Sequence, residues 1–130
     1  DTWERHGAAA AHDRLNEAFE QLMVGVFAYN KHWRPWRSRE QSYLQRLNWL
    51  PESLRTNTLG LVVPAKDDRA GYGERASLLN RCFLELVQQC QLEGLYRDDP
   101  ISEAFIRCYD EPGRDWNIAE WVERHRVRSH

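Results

Sequence analysis

The stretch LNEAFEQLMVGVF, residues 15–27, decides the fold class. Leu15, Phe19, Leu22, Met23, Val26 and Phe27 return at steps of three and four residues. That spacing lines one stripe of an α-helix, whereas a half-buried strand would alternate. It predicts a long first helix ending near Asn30. Downstream, KHWRPWRSREQ breaks the pattern, because Pro35 has no place in a helix interior and disfavours helix at Arg34. Ser38 is expected to cap a short second helix whose apolar side carries Tyr43, Leu44 and Leu47. Pro51 suits the first turn of a third helix, with Leu54, Leu59, Leu61 and Val62 available for burial.

Pro64 closes that helix, and AKDDRAGYG, residues 65–73, reads as the clearest loop by its two glycines and polar run. A fourth helix is expected over residues 74–92, with Leu79, Cys82, Phe83, Leu86, Val87 and Cys90 on its stripe and Gly94 as its stop. Asp98 or Asp99 with Pro100 opens a fifth, carrying Ile101, Phe105 and Cys108. After the turn DEPGRD comes a last helix with Trp116, Ala119, Trp121 and Val122. No repeat and no strand pattern stands out. The expected architecture is all-α, a compact bundle of five to six helices forming a single domain over residues 1–130.

Composition agrees with a folded domain. At 130 residues the chain buries enough surface to fold without a staple, and 42% hydrophobic with 29% charged residues excludes a disordered or fibrous chain. The longest apolar stretch, around Leu22 to Ala28, is far shorter than the roughly 18 residues of a membrane span. The start, DTWERHG, lacks a basic region followed by an apolar one, so no signal peptide is expected. Cys82, Cys90 and Cys108 are odd in number and lack CxxC spacing. On one helix Cys82 and Cys90 stand about 12 Å apart along the axis, too far for a disulfide. They read as buried thiols in a reducing compartment, and the cytoplasm is the expected location.

The formal net charge of −2 hides an uneven distribution. Residues 1–30 carry 2 basic and 5 acidic side chains, residues 31–81 carry 10 and 5, and residues 82–130 carry 6 and 10. The middle of the chain therefore attracts polyanions while both ends repel them. Within it, NKHWRPWRSREQSYLQR sets Lys31, Arg34, Arg37, Arg39 and Arg46 among Trp33, Trp36 and Tyr43, against the single acid Glu40. Arginines contact phosphates and aromatic rings stack on unpaired bases, so the mixture suits single-stranded nucleic acid. Arg55, Lys66, Arg69, Arg75 and Arg81 would extend the basic track over the third and fourth helices. The competing reading has the tryptophans closing the bundle and the arginines solvating its rim. A second basic group, Arg124, Arg126 and Arg128, is accounted for by the negative end of a helix dipole.

Catalytic signatures are missing. There is no GxSxG, Walker loop, HExxH or glycine-rich nucleotide fingerprint. His6 and His12 are six residues apart and point to different helix faces, and no histidine pairs with a cysteine at finger spacing, so neither metal nor cofactor is expected. The acid pairs Asp67/Asp68, Asp98/Asp99 and Asp110/Glu111 fall in turns, and Glu103 with Arg107 fits a surface pair. No enzyme activity is expected.

RLNWLPESLRTNTLGLVV, residues 46–63, resembles the most recognisable segment of the small subunit of type III CRISPR effector complexes, especially the Cmr type. Leu50-Pro51 supplies the pair that precedes a helix in that family, and Thr56-Asn57-Thr58-Leu59-Gly60-Leu61 the run that follows. Trp116-Asn117-Ile118-Ala119-Glu120-Trp121 is similar to its final aromatic-bearing helix. Thr58 stands where the family usually has glycine, and Val62-Val63-Pro64 replaces the usual Ala-Phe continuation. The resemblance implies a noncatalytic helical bundle of an antiviral ribonucleoprotein, stacking head-to-tail beside the crRNA-bearing backbone and helping to hold target RNA in a basic groove. Its partners would be the other effector subunits, crRNA and target RNA, and copies of itself. It further implies that Gly60 permits close helix packing and that Leu50, Leu54 and Leu59 belong to the core. The phosphate-contacting residues rest on the charge pattern alone. The alternative class is a helical protein–protein adaptor or inhibitor with Trp33 and Trp36 as anchors, since tryptophan and arginine dominate interface hot spots.

Overall fold

The apolar stripe lies inside a helix, as its period requires. In a computed structural model, which describes residues 1–96 and 98–100, the chain forms α1 (Thr2–Tyr29), α2 (Arg37–Leu44), α3 (Glu52–Val62) and α4 (Arg69–Leu92). The described residues are all-helical and contain no strand. The expected helices beyond Pro100, with Cys108, the DEPGRD turn, the Glu103–Arg107 pair and the C-terminal arginines, lie outside the described residues. The chain divides into two units, Asp1–Cys90 and Gln91–His130. In the second, the described residues include Gly94, whose φ of 73° and N–H bond to the Gln91 carbonyl at 3.0 Å stop α4 where a glycine was expected.

In the first unit, Phe19, Leu22, Met23, Val26 and Phe27 of α1 form one buried cluster with Leu44, Leu50, Leu54, Leu61, Leu79, Cys82 and Leu86. Burying each large side chain contributes about 1.5–3 kcal/mol, so this cluster is the main source of stability. Leu15 and Leu47 pack partly buried against it, as do Val62 and Cys90.

Leu59 corrects the expectation for α3, since it is 75% exposed. Leu54 and Leu61 are seven residues apart, two helical turns, and share the inner face. Leu59 is five residues from Leu54 and falls about 140° away. The helix also leaves helical geometry at Asn57, with φ −133° and ψ 31°. On α4, Phe83 is partly exposed at the edge of the stripe, as is Tyr43 on α2. Gly60 faces Leu78 Cδ2, which an added Cβ would meet at 3.3 Å, so close packing holds there.

The expected loop over residues 65–73 is shorter than its composition implied, because α4 already begins at Arg69. Asp68 caps it: its Oδ1 accepts the Gly71 N–H at 2.9 Å and its carbonyl accepts the Tyr72 N–H at 3.1 Å. Gly71 serves proximity rather than flexibility, since a Cβ there would lie 2.0 Å from the Lys66 carbonyl oxygen.

Two side chains of α4 hold the ends of α3. Glu85 accepts the Ser53 N–H at 3.1 Å and the Ser53 hydroxyl at 2.5 Å, at the N-terminus of α3. Arg75 donates from Nε to the Leu61 carbonyl at 2.8 Å, at its C-terminus. Ten residues of α4 span about 15 Å, close to the length of α3, so the two helices run antiparallel. Each charge meets the dipole end of opposite sign. Arg75 is 3% exposed and also donates to Asn16 Oδ1 at 2.6 Å and stands 3.2 Å from His12 Nδ1, which ties α1 to the same point.

Candidate nucleic-acid interface

The basic-aromatic segment becomes a connector between α1 and α2. Its entry is a left-handed turn: Lys31 has φ 59°, with its N–H on the Ala28 carbonyl at 2.9 Å and the His32 N–H on the Phe27 carbonyl at 3.0 Å. This pair of reverse bonds is the usual ending of a helix, placed here on a lysine instead of glycine. Asn30 secures the turn from below. Its Nδ2 donates to the Val26 and Trp49 carbonyls at 2.8 and 2.9 Å, while its Oδ1 accepts the Trp49 N–H at 3.0 Å. Trp49 packs edge-on against Tyr29, with ring centroids 5.0 Å apart.

From His32 to Trp36 the backbone is irregular, and its side chains divide between inside and outside. Arg34 turns inward. Its Nε donates to Glu40 Oε2 of α2 at 2.5 Å, and its Nη1 bonds the Glu20 carboxylate of α1. Side-chain exposure of Arg34 and Glu40 is 17% and 8%, so this pair is shielded from solvent. Burial opposes the charged Arg34, but its hydrogen bonds to Glu20 and Glu40 outweigh that cost and raise its pKa. Glu20 is held below the ordinary carboxylate value, first by the hydrogen bond from Arg34, against the opposing effect of burial.

Trp33 and Trp36 turn outward, 97% and 84% exposed. They do not close the bundle, and Trp49 takes a packed position instead. Trp36 also occupies the N-cap of α2, with the Arg39 N–H on its carbonyl at 2.8 Å, so Ser38 lies within the helix and not at its cap.

The cations near this connector differ in how far they are committed. Lys31 and Arg39 are exposed and make no ion pair among the described residues. Arg37, mostly exposed, stands 3.1 Å from Glu20 Oε1, and Arg46 lies over the Tyr43 ring at 5.3 Å. Of the rest of the expected track, Arg55 faces Glu52 at 3.7 Å, while Lys66 and Arg81 are exposed. Arg69 pairs with Asp1 at 2.5 Å and covers the Trp3 and Tyr72 rings. Arg75 has its donors inside the bundle, like Arg34.

Among the described residues, no group of three His, Cys, Asp or Glu side chains could hold a metal ion, and no helix is long and apolar enough to cross a membrane. Cys82 is fully buried, and burial with the nearby Glu85 pushes its thiol up to about 12. Between α1 and α4 runs an apolar groove of about 460 Å³, lined by Leu15, Leu22, Leu79, Phe83 and Leu86. No protein-family model, curated protein or solved structure matches this chain.

Glu20 and Asn30 escaped the sequence reading. Each acts on a partner 14 or 19 residues away, and no short-range pattern encodes such a pairing. Glu40 carried a signal: it is the one acid among five cations.

Proposed function

We propose that this chain is a noncatalytic RNA-binding subunit of a larger ribonucleoprotein, of the type III CRISPR effector kind. The observation that carries the reading is the near-complete exposure of Trp33 and Trp36 on a connector whose flanks present Lys31, Arg37, Arg39 and Arg46. Indole faces stack on unpaired bases without regard to sequence, and the flanking cations neutralise the phosphates between them. Arg55, Lys66, Arg69 and Arg81 extend the charge over α3 and α4, while Arg34 and Arg75 support the bundle. The segment at residues 46–63 motivates the CRISPR assignment, with Leu59 exposed where a core residue was expected. On this reading the chain works in the cytoplasm beside crRNA and target RNA. It stacks with copies of itself, the basic middle of one copy against the acidic end of the next.

The test is titration of a fluorescein-labelled single-stranded 20-nucleotide RNA with the full chain, followed by anisotropy. Four phosphate contacts on a single strand predict a slope of log K against log salt of about −3. Replacing both rings, Trp33→Ala with Trp36→Ala, should weaken binding by 1–3 kcal/mol per stacked base, roughly, without unfolding the chain. Binding that ignores both the double variant and Arg37→Glu with Arg39→Glu removes this site.

The adaptor or inhibitor reading has its own observation in the apolar groove between α1 and α4, where Phe83 is partly exposed. Capture of a specific partner protein that survives nuclease and moderate salt would favour it over RNA.

A further inference from the structure

Taken as a member of the basic cluster, Arg34 should contribute charge to a bound strand. Its geometry contradicts that use. The guanidinium lies between Glu20 of α1 and Glu40 of α2, and also reaches the Glu20 carbonyl at 3.4 Å. Asn30 clasps the start of the same connector, and Arg37 meets Glu20 at its end. An irregular segment of five residues is thus anchored near its beginning on the Trp49 backbone between α2 and α3, and at its middle and end on α1 and α2. Two of the side chains that it carries outward are Trp33 and Trp36, 97% and 84% exposed.

We infer that Arg34 is a positioning residue: its bridge between Glu20 and Glu40 pre-orders the connector that presents Trp33 and Trp36. This rests on the proposed RNA site for its purpose, but not for its structural content. A connector already ordered when free loses less conformational entropy on binding, and that saving appears as affinity. The carboxylates therefore favour binding of a polyanion, although their charge repels one. Simple electrostatics predicts the reverse sign, and this separates the two accounts.

The decisive variant is Glu40→Met, which removes the acceptor and makes the chain more positive. A charge-only account requires tighter RNA binding. The bridge requires binding about tenfold weaker, with Glu17→Gln, the same charge change on an exposed part of α1, leaving affinity unchanged or slightly tighter. Should Glu40→Met fail to fold by circular dichroism, Glu40→Gln, which keeps a neutral acceptor, should show a smaller loss in the same direction. Backbone ¹⁵N relaxation of the free protein supplies a readout that needs no ligand. Order parameters for Trp33, Arg34 and Trp36 should be near 0.85 in the parent chain and fall below roughly 0.6 in the variant. Tighter binding by Glu40→Met, or order parameters unchanged from the parent, overturns the inference. A parent chain that binds no RNA, with order still lost in the variant, overturns the proposed function and leaves the bridge standing.

Discussion

Two arginines, Arg34 and Arg75, each join helices that are distant in sequence, and they do so by opposite means. Arg75 is 3% exposed and gives its hydrogen bonds to neutral oxygens: the Leu61 and His12 carbonyls and Asn16 Oδ1. No carboxylate among the described residues pairs with it, and burial lowers its pKa. Arg34 sits between two carboxylates, which raise its pKa against the pull of burial. Exposed Trp33 and Trp36 lie within two residues of Arg34 in the chain, whereas Arg75 meets His12, whose ring packs with those of Trp3 and Tyr72, centroids 5.4 to 6.1 Å apart. A cation satisfied by neutral groups inside a bundle serves packing, because it closes helix ends. One satisfied by carboxylates near the surface can fix an irregular segment where water still reaches.

The sharpest way to break that contrast is Arg75→Met. The variant keeps most of the volume but leaves the Leu61 carbonyl and the Asn16 side chain without their donor. A buried unsatisfied polar group costs about 1–3 kcal/mol, so a loss of about 3 kcal/mol is expected in urea unfolding. Arg75→Lys keeps charge but loses the planar fork, and should fall between parent and Met variant. Full stability in the Met variant would show that the bundle closes that end without Arg75. Arg34→Met strands the shielded Glu40 carboxylate, a loss of about 1–3 kcal/mol or more in the same measurement, and adding Glu40→Met, which removes that charge, should regain most of it. A double variant no more stable than Arg34→Met would erase the distinction.

What was legible in advance follows the same division. The α1 stripe was readable because burial there repeats every three to four residues, and Phe19 through Phe27 obey it without interruption. At Leu59 hydrophobic character alone suggested burial, whereas the same period, counted from Leu54 and Leu61, turns it outward. Composition mis-set the start of α4: Gly71 and Gly73 looked like loop residues, yet Gly71 is where α4 passes against the Lys66 backbone. At the candidate interface, the interleaving of cations and rings was plain, but not which side chains face water. That depends on Glu20 and Asn16, 14 and 59 residues from their arginines, and such pairings exist only once the helices have packed. Arg34 and Arg75 therefore read as two more cations in a basic stretch, when both are internal ties.

Acid offers the finest test of the comparison, because only one tie contains carboxylates. Glu20 has a folded-state pKa below its ordinary value of 4.5, chiefly through the hydrogen bond from Arg34. A carboxyl with a lowered folded value contributes stability that is complete above the unfolded value and is lost as pH falls through the folded one. The difference in unfolding free energy between parent and Glu20→Gln should therefore be constant from pH 7 to about pH 5. Below 4.5 it should shrink, as protonation makes the parent resemble the variant. Glu20 is about a third exposed, so solvent screening keeps the whole effect within about 1 kcal/mol. At the other tie no carboxylate bonds Arg75, and acidification has no such contribution to remove. A parent-minus-variant difference that stayed flat to pH 3 would mean that the Arg34 guanidinium does not favour ionised Glu20, and the bridge would then hold the connector by shape alone.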